Sequence, residues 1–259
     1  MTLRAIEILK SCDLILCEDT RHSRPLLTHF GIDKPLKSYH KFNERERLDE
    51  VTKQLREGKQ IALISDAGMP GIADPGTLLV QECRSQGLSV TALPGPCALI
   101  QALAASGWDT SRFQFVGYLP RKSGALKEAL QEILSYPAPT ASYEAPHRIL
   151  DTLEALSHLD PRRPLMVARE LTKKFEEYRF GTAPELLAHY QEHPPLGEIV
   201  LLIAGQLIST DHWQTLSPQE HVQFMMETYN LDERAAIKAV ATLRGLPKRD
   251  IYQTVKRKD

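Results

Sequence analysis

Alternating helical and strand-like segments predict an α/β protein in two domains, with a mostly parallel sheet in the first, a mixed sheet in the second, and a helical extension at the end. Glycine-rich turns that follow apolar strand-like runs support this class, and so does the change of character over about the last fifty residues. Leu3 to Lys10 repeats apolar residues at helical spacing, and Asp13 to Cys17 follows as a buried strand. Arg24 to Phe30 reads as a short helix closed by Gly31, Glu44 to Glu57 as an amphipathic helix closed by Gly58, and Gln60 to Ile64 as a strand. Leu78 to Gln86 is a helix closed by Gly87, Val90 to Leu93 a strand, and Cys97 to Ala105 an apolar helix.

The alternation pauses at Phe113 to Pro120, where Gly117 and Pro120 suit a hinge, so a first domain is expected over 1–116 and a second over 117–206. Within the second, Leu126 to Leu134, His147 to Leu156 and Ala183 to Gln191 read as helices, and Ala138 to Tyr143, Pro164 to Arg169 and Glu198 to Ala204 as strands. A basic helical extension is expected over 207–259, with helices over Pro218 to Tyr229, Glu233 to Arg244 and Lys248 to Lys256. The turn Gly245-Leu246-Pro247 gives the last two helices the outline of a helix-turn-helix element; a plain packing hairpin has the same outline.

Composition narrows the classes of function. The 259 residues are 42% hydrophobic and 25% charged, ordinary for a soluble globular chain, and the formal net charge of -1 excludes a global nucleic-acid signal. Any RNA contact must come from local patches, of which there are two: Lys37, His40, Lys41, Arg45 and Arg47, and the basic end around Lys248, Arg249, Lys256, Arg257 and Lys258. Each patch can equally be a solvated surface. Cys12, Cys17, Cys83 and Cys97 show no C-x-x-C spacing, and no signal-like segment or long apolar run occurs, so a reduced cytoplasmic protein without a membrane is expected. Histidines are scattered, and no metal is expected.

The most informative stretch is Ser65 to Gly76, S-D-A-G-M-P-G-I-A-D-P-G, directly after an apolar run. Glycine there lets a ligand approach the backbone, proline stiffens the turns, and the aspartates accept hydrogen bonds. Pro94-Gly95-Pro96 repeats the pattern more briefly, so two strand ends point turns toward what would be one crevice, the usual ligand site of an open α/β sheet. Neither a dinucleotide fingerprint nor a P-loop is present, and connections that merely turn the chain remain the plain alternative.

Six ordered motifs then carry a resemblance: Glu18-Asp19-Thr20-Arg21-His22, the Ser65 to Gly76 loop, Leu93 to Pro96, Phe115 to Pro120, Tyr143 to Arg148, and Ala168 to Lys173. Together they resemble the bacterial 16S rRNA (cytidine-2′-O)-methyltransferase family, the RsmI family, a branch of the tetrapyrrole methylase superfamily. The resemblance implies a homodimeric, two-domain S-adenosylmethionine-dependent enzyme that methylates the ribose of a cytidine in the decoding region of 16S rRNA, in free form or in the small ribosomal subunit. It implies a cofactor site of Asp66, Ala67, Gly68, Ile72, Ala73, Pro94 and Gly95, with Tyr143, Ala168 and Ile203 on the second domain's side. It also implies a strand and a Pro-Ile-Gly-Asn loop ahead of the first helix; with Met1 at that helix, the sequence is expected to be N-terminally truncated relative to the family and to lack one wall of the pocket, either because its start is assigned too late, the favoured reading, or because it is a weakened form.

For the reaction, Glu144, His147, Glu170 and Lys173 are candidate general bases, and none is singled out. Glu144 and Arg148 can equally be a structural pair. Arg21, His22, Arg121, Lys122, Arg148, Lys248 and Arg249 are candidate RNA contacts, although Arg21 and His22 also suit a helix N-terminal cluster capped by Asp19 or Thr20. Two other functions stay open. A tetrapyrrole or small-molecule methyltransferase would have no need of a basic helical tail, and a non-catalytic ribosome- or RNA-binding protein would not bind the cofactor.

Overall fold

The computed structural model describes residues 1–205, 216–229 and 231–256. Its Cα positions fall into two units, Met1–Gly205 and Gln206–Asp259. The first unit opens with α1 (Leu3–Ser11), β1 (Leu14–Cys17), α2 (Thr20–His29), β2 (Leu36–Ser38), α3 (Glu44–Arg56), β3 (Ile61–Leu63), α4 (Thr77–Ser85) and α5 (Ala98–Ala105). It continues with β4 (Gln114–Tyr118), α6 (Ser123–Ser135), β5 (Thr140–Glu144), α7 (Ile149–Leu159), β6 (Pro164–Arg169), β7 (Glu177–Thr182), α8 (Ala183–Glu192) and β8 (Ile199–Ile203).

β1 lies between β2 and β3, parallel to both, so the C-terminal ends of these strands share one edge. All of Leu14-Ile15-Leu16-Cys17 is buried, as a strand covered on both faces requires. Leu14 and Leu16 pack with Tyr39, Val51, Leu79 and Cys83 on one side. Ile15 packs with Leu9, Cys12, Leu27 and Ile32 on the other.

The second sheet has the order β4-β5-β8-β6-β7. β4 pairs parallel to β5, whereas β8 runs antiparallel to both β5 and β6, and β7 antiparallel to β6. It is the mixed sheet the sequence leads one to expect. The central run Ile199-Val200-Leu201-Leu202-Ile203 is buried throughout. Its alternate side chains sort by face: Ile199, Leu201 and Ile203 join the core made with α6, α7 and α8, while Val200 and Leu202 meet Leu99, Ala102 and Leu103 of α5. Each such side chain contributes about 1.5–3 kcal/mol by leaving water. α5 therefore covers the face of the second sheet opposite to α6, α7 and α8.

Two departures from the sequence reading have physical causes. Val90 to Leu93 forms no strand: no described strand pairs with it, and a run without a ladder partner is not held extended, however β-prone its side chains. Phe113 to Pro120 is not a bare hinge, since β4 occupies Gln114–Tyr118 and enters the second sheet across the expected 116/117 boundary. Conversely, β2 and β7 escape the sequence reading, β2 because it is only three residues long and β7 because its run E-Y-R-F-G-T mixes charge and glycine into an edge strand.

The second unit contains α9 (Pro218–Tyr229), α10 (Glu233–Arg244) and α11 (Lys248–Lys256). Val222, Met225, Ala236, Ile237, Val240, Ala241 and Ile251 form its core. Asp232 caps α10 by accepting from the Ala235 amide at 2.7 Å, and Gly245 closes it at φ 62°, where the Leu246 amide reaches back to the Ala241 carbonyl at 3.0 Å. The helix-turn-helix outline is thus present, with Lys248 and Arg249 exposed in the first turn of α11. No described helix is long and apolar enough to cross a membrane.

Candidate functional site

The shared C-terminal edge of β1, β2 and β3 feeds the segments beginning at Glu18, Tyr39 and Ile64. The long loop after β3 turns on glycines at positive φ, Gly68 at 82° and Gly71 at 79°, and on Ala73 at 61°. Ala73 pays for that geometry with strain, which is retained where a fixed backbone serves a ligand. The short proline-glycine turn meets this loop directly: a Cβ on Gly95 would lie 3.2 Å from Met69 Cγ, and one on Gly68 would lie 3.6 Å from the Pro96 carbonyl oxygen. The two turns therefore do converge, and glycine is what lets them. Asp66, half-buried, accepts from the Asp19 amide at 3.4 Å, and Ala67, Gly68, Ile72, Ala73, Pro94 and Gly95 are all exposed at this edge.

Carboxylates gather here. Burial pushes Glu18 up, and the charges of Asp74 and Asp66 add to the effect. Burial raises Asp74 as well, against a Ser65 hydrogen bond that lowers it, with Glu198 and Asp66 raising it further. Glu198 stands at the entry to β8, so the second sheet contributes to the same field. Tyr118 is 57% exposed and its phenol is raised by burial of the hydroxyl, then by Glu198 and Asp74. Phe115 and Tyr118 set their rings 5.0 Å and 5.8 Å from that of Tyr143, whose phenol burial pushes up to about 12. Negative charge beside an aromatic wall suits an organic cation. Among the described residues no group of three or more His, Cys, Asp or Glu side chains is placed to hold a metal ion.

The remaining candidate residues fall into three groups. Glu144 is buried at 2% exposure, with its oxygens accepting from Thr152 Oγ1 at 2.8 Å and the Ala145 amide at 2.9 Å, and with Arg148 Nη1 at 3.2 Å. Arg148 in turn donates to the carbonyls of Leu119 at 3.1 Å and Pro120 at 2.7 Å. These bonds match the structural-pair alternative for Glu144 and Arg148, which together clamp the Tyr118–Pro120 segment to the start of α7. His147 beside them is exposed.

Glu170 and Lys173 sit in the β6–β7 turn and pair at 2.9 Å, with Lys173 also 3.8 Å from Glu198. Glu170 takes φ 49° and Thr172 φ 67°, so this turn is as strained as the Ala73 loop. The Lys173 hydrogen bond lowers Glu170, and Glu170 raises Lys173, fixing one as anion and the other as cation at neutral pH. Lys173 is thereby engaged by Glu170 and Glu198 in the β6–β7 turn. Ala168 and Ile203 are fully buried in the sheet's two cores rather than facing the edge, Ile203 because the register with Thr140 and Leu165 turns it toward α6–α8.

Of the RNA candidates, Arg21 folds back on Asp19 at 2.7 Å, and that bond holds the Asp19 carboxyl down to about 2 while Asp19 caps α2 through the Arg21 amide at 2.8 Å. The capping alternative accounts for this pair. His22, Arg121 and Lys122 are exposed. Sequence reasoning missed Glu18 and Asp74 as individual groups. Their signal was available, since both stand within quoted motifs directly after β1 and within the β3 loop. A surface hollow of about 330 Å³ lined by Arg24, Leu27, Thr28, Ile32, Lys34 and Leu36 lies at the opposite, N-terminal end of β2, away from these groups.

Comparison with known proteins follows the same lines. A family model for tetrapyrrole (corrin/porphyrin) methylases matches residues 1–187. The chain is 41% identical over 256 residues to a ribosomal RNA small subunit methyltransferase I of Halalkalibacterium halodurans, covering 97% of this chain and 88% of that one. A Haemophilus influenzae protein of the same name is 43% identical, with 98% and 90% covered. Among solved structures, the methyltransferase CobJ superposes with a TM-score of 0.58 at 19% identity, covering 79% of this chain and 88% of that one. A cobalt precorrin-4 methyltransferase gives 0.56 at 15% identity, covering 79% and 88%. At those identities the structures speak for the fold alone.

Proposed function

We propose, on the premise that the chain belongs to the tetrapyrrole methylase family and within it to the ribosomal RNA small subunit methyltransferases, that its reaction is methyl transfer to a ribose 2′ oxygen of a cytidine in the decoding region of 16S rRNA. It is an S-adenosylmethionine-dependent rRNA methyltransferase. The single observation that carries the assignment of the site is the contact of the 65–76 loop with the Pro94-Gly95-Pro96 turn beside a field of carboxylates.

These residues fit the cofactor. Its sulfonium is a cation, and Glu18, Asp66 and Asp74 offer negative charge with no cationic side chain bonded to them among the described residues. Glycines at 68 and 95 leave the backbone open, and Tyr143 offers an apolar face. When bound, the cofactor supplies an activated methyl group. The protein's own share is alignment, worth about 7–11 kcal/mol when a nucleophile is held in line, together with removal of the hydroxyl proton. Glu18 and Asp74 are the groups suited to that last task, because burial and neighbouring carboxylates raise their affinity for protons. Glu170 and Lys173, fixed as an ion pair, hold the β6–β7 turn against Glu198. Lys248 and Arg249 of α11, with Arg121 and Lys122, provide cations for the phosphates of the subunit. The enzyme acts in the cytoplasm as a homodimer on this reading.

The test pairs two measurements. Calorimetry with S-adenosylmethionine reads the pocket, and transfer of radiolabelled methyl to purified small subunits, followed by nuclease mapping, reads the product. A ribose-methylated cytidine is expected. Methyl incorporation into a base or into a tetrapyrrole, with none into a ribose, would overturn the proposal.

A further inference from the structure

The segment after β2 carries a feature the reaction has not yet used. Phe42 is 96% exposed, a whole aromatic ring held in water. The loop that holds it is not loose. Tyr39, fully buried, donates its amide to the Cys17 carbonyl at 2.7 Å, and Asn43 staples the turn by accepting from the His40 amide at 2.8 Å and donating to the Ser38 carbonyl at 3.4 Å. The amides of Asn43 and Glu44 both return to the His40 carbonyl, at 3.0 Å and 2.9 Å. The Phe42 ring stands edge-on to His40, with 6.2 Å between ring centroids.

This loop shares an edge with the candidate site. Because β1, β2 and β3 are parallel, it emerges beside Glu18 and the 65–76 loop, and the Glu44 carboxylate accepts from the Gly76 amide at 3.4 Å, two residues beyond Asp74. Cations flank the ring. Lys41 and Arg45 are exposed and make no ion pair among the described residues, whereas Lys37 and Arg47 are engaged by Glu50 and the exposed Glu46 and Asp49 lie farther along α3. A rigid aromatic tip between unpaired cations is the arrangement that stacks on an unpaired base while holding its phosphates.

We propose that Phe42, with Lys41 and Arg45, is a docking finger for single-stranded RNA, stacking on an unpaired nucleotide next to the one methylated. The proposal rests on the reading of the protein as an rRNA methyltransferase. It is a role in placing substrate, not in the chemistry.

The test compares wild type with Phe42→Ala, Phe42→Trp and Lys41→Ala in methyl transfer to small subunits, in binding of a fluorescent single-stranded RNA oligonucleotide, in S-adenosylmethionine calorimetry and in sedimentation. Phe42→Ala is expected to raise KM for subunits and weaken oligonucleotide binding about tenfold, with kcat and cofactor affinity unchanged, and Phe42→Trp to restore both. Lys41→Ala is expected to lower the salt slope of binding by about one. An unaltered KM and oligonucleotide affinity in Phe42→Ala would overturn the finger. So would a change in sedimentation, which would make the ring a contact between copies, or a loss of cofactor affinity, which would make it part of the pocket. If wild type transfers no methyl to subunits, the proposed reaction fails. The oligonucleotide arm then still decides whether Phe42 is an RNA contact.

Discussion

Arg148 spans three partners and Glu144 is the one that makes this possible: their 3.2 Å ion pair neutralises a guanidinium whose other nitrogen is fixed on the Leu119 and Pro120 carbonyls. Glu144 ends β5, Arg148 precedes α7, and the two carbonyls follow β4, so one pair ties three elements beneath Tyr118 and Tyr143. The charges are buried, at 0% and 14% side-chain exposure.

Removing either partner should therefore cost far more than a surface pair would. Arg148→Ala and Glu144→Ala are each expected to lose about 3 kcal/mol in chemical denaturation, since the remaining charge stays buried without its counter-ion. Glu144→Gln keeps the Thr152 bond and should lose less. Losses below about 1 kcal/mol for both alanine variants would show the pair to be no more than a surface contact.

Gly197 and Glu170 set up a second test. Gly197 adopts φ 82° directly under the Glu170 side chain, so an added Cβ would collide with the carboxylate. Gly197→Ala should displace Glu170 from Lys173, strain the entry to β8 and lower methyl transfer, with a stability loss of about 1–3 kcal/mol. Glu170→Ala in the same background should recover part of the stability, because it empties the space. Additive losses in the double variant would refute the steric cause.

Much of this was legible in the sequence because it rests on local signals. Pro164 to Arg169 and the three C-terminal helices are bounded by proline, glycine or capping residues, and their limits follow from those. The glycine loops were legible for the same reason. Val90 to Leu93 was not, because a strand exists only where another lends it hydrogen bonds, and pairing is not a local property. The site shows the same division. The turns that meet at Gly68 and Gly95 could be named from residue type, whereas residue type left Glu144 open between proton acceptor and structural pair, and its bonds to Thr152 and Arg148 are visible only in the fold. Asp74 gains its character from burial first and then from the charges of Glu198 and Asp66, and burial and the approach of Glu198, far along the chain, are products of the fold.

Asp74→Asn is expected to move activity and stability in opposite directions. Its carboxyl binds protons more tightly in the folded chain than its ordinary value of about 3.9 allows, so ionisation at neutral pH weakens the fold. The stabilising protonated form is lost as pH rises through the folded value. Asp74→Asn should thus melt higher than wild type at pH 7 while losing methyl transfer, about a hundredfold if it takes the hydroxyl proton. Thermal melts and single-turnover rates check the two halves separately. A lower melting temperature would contradict the charge argument, and an unchanged rate would remove Asp74 from the reaction.

His221 gives the second unit a pH limit of its own. It is fully buried, its Nδ1 accepts from Arg244 Nε at 3.0 Å, and both burial and the Arg244 charge lower its affinity for protons. An unfolded histidine titrates near 6.5, above the folded value. Above that pH both states are neutral and the contribution to stability is complete. As pH falls below about 6.5 the unfolded chain takes up the proton first, so stability declines until the folded value is passed. Melting of the full chain followed from pH 7.5 to 5 should show that decline, and His221→Gln, which cannot titrate, should flatten it. An equal slope in wild type and variant would assign the acid sensitivity to other groups.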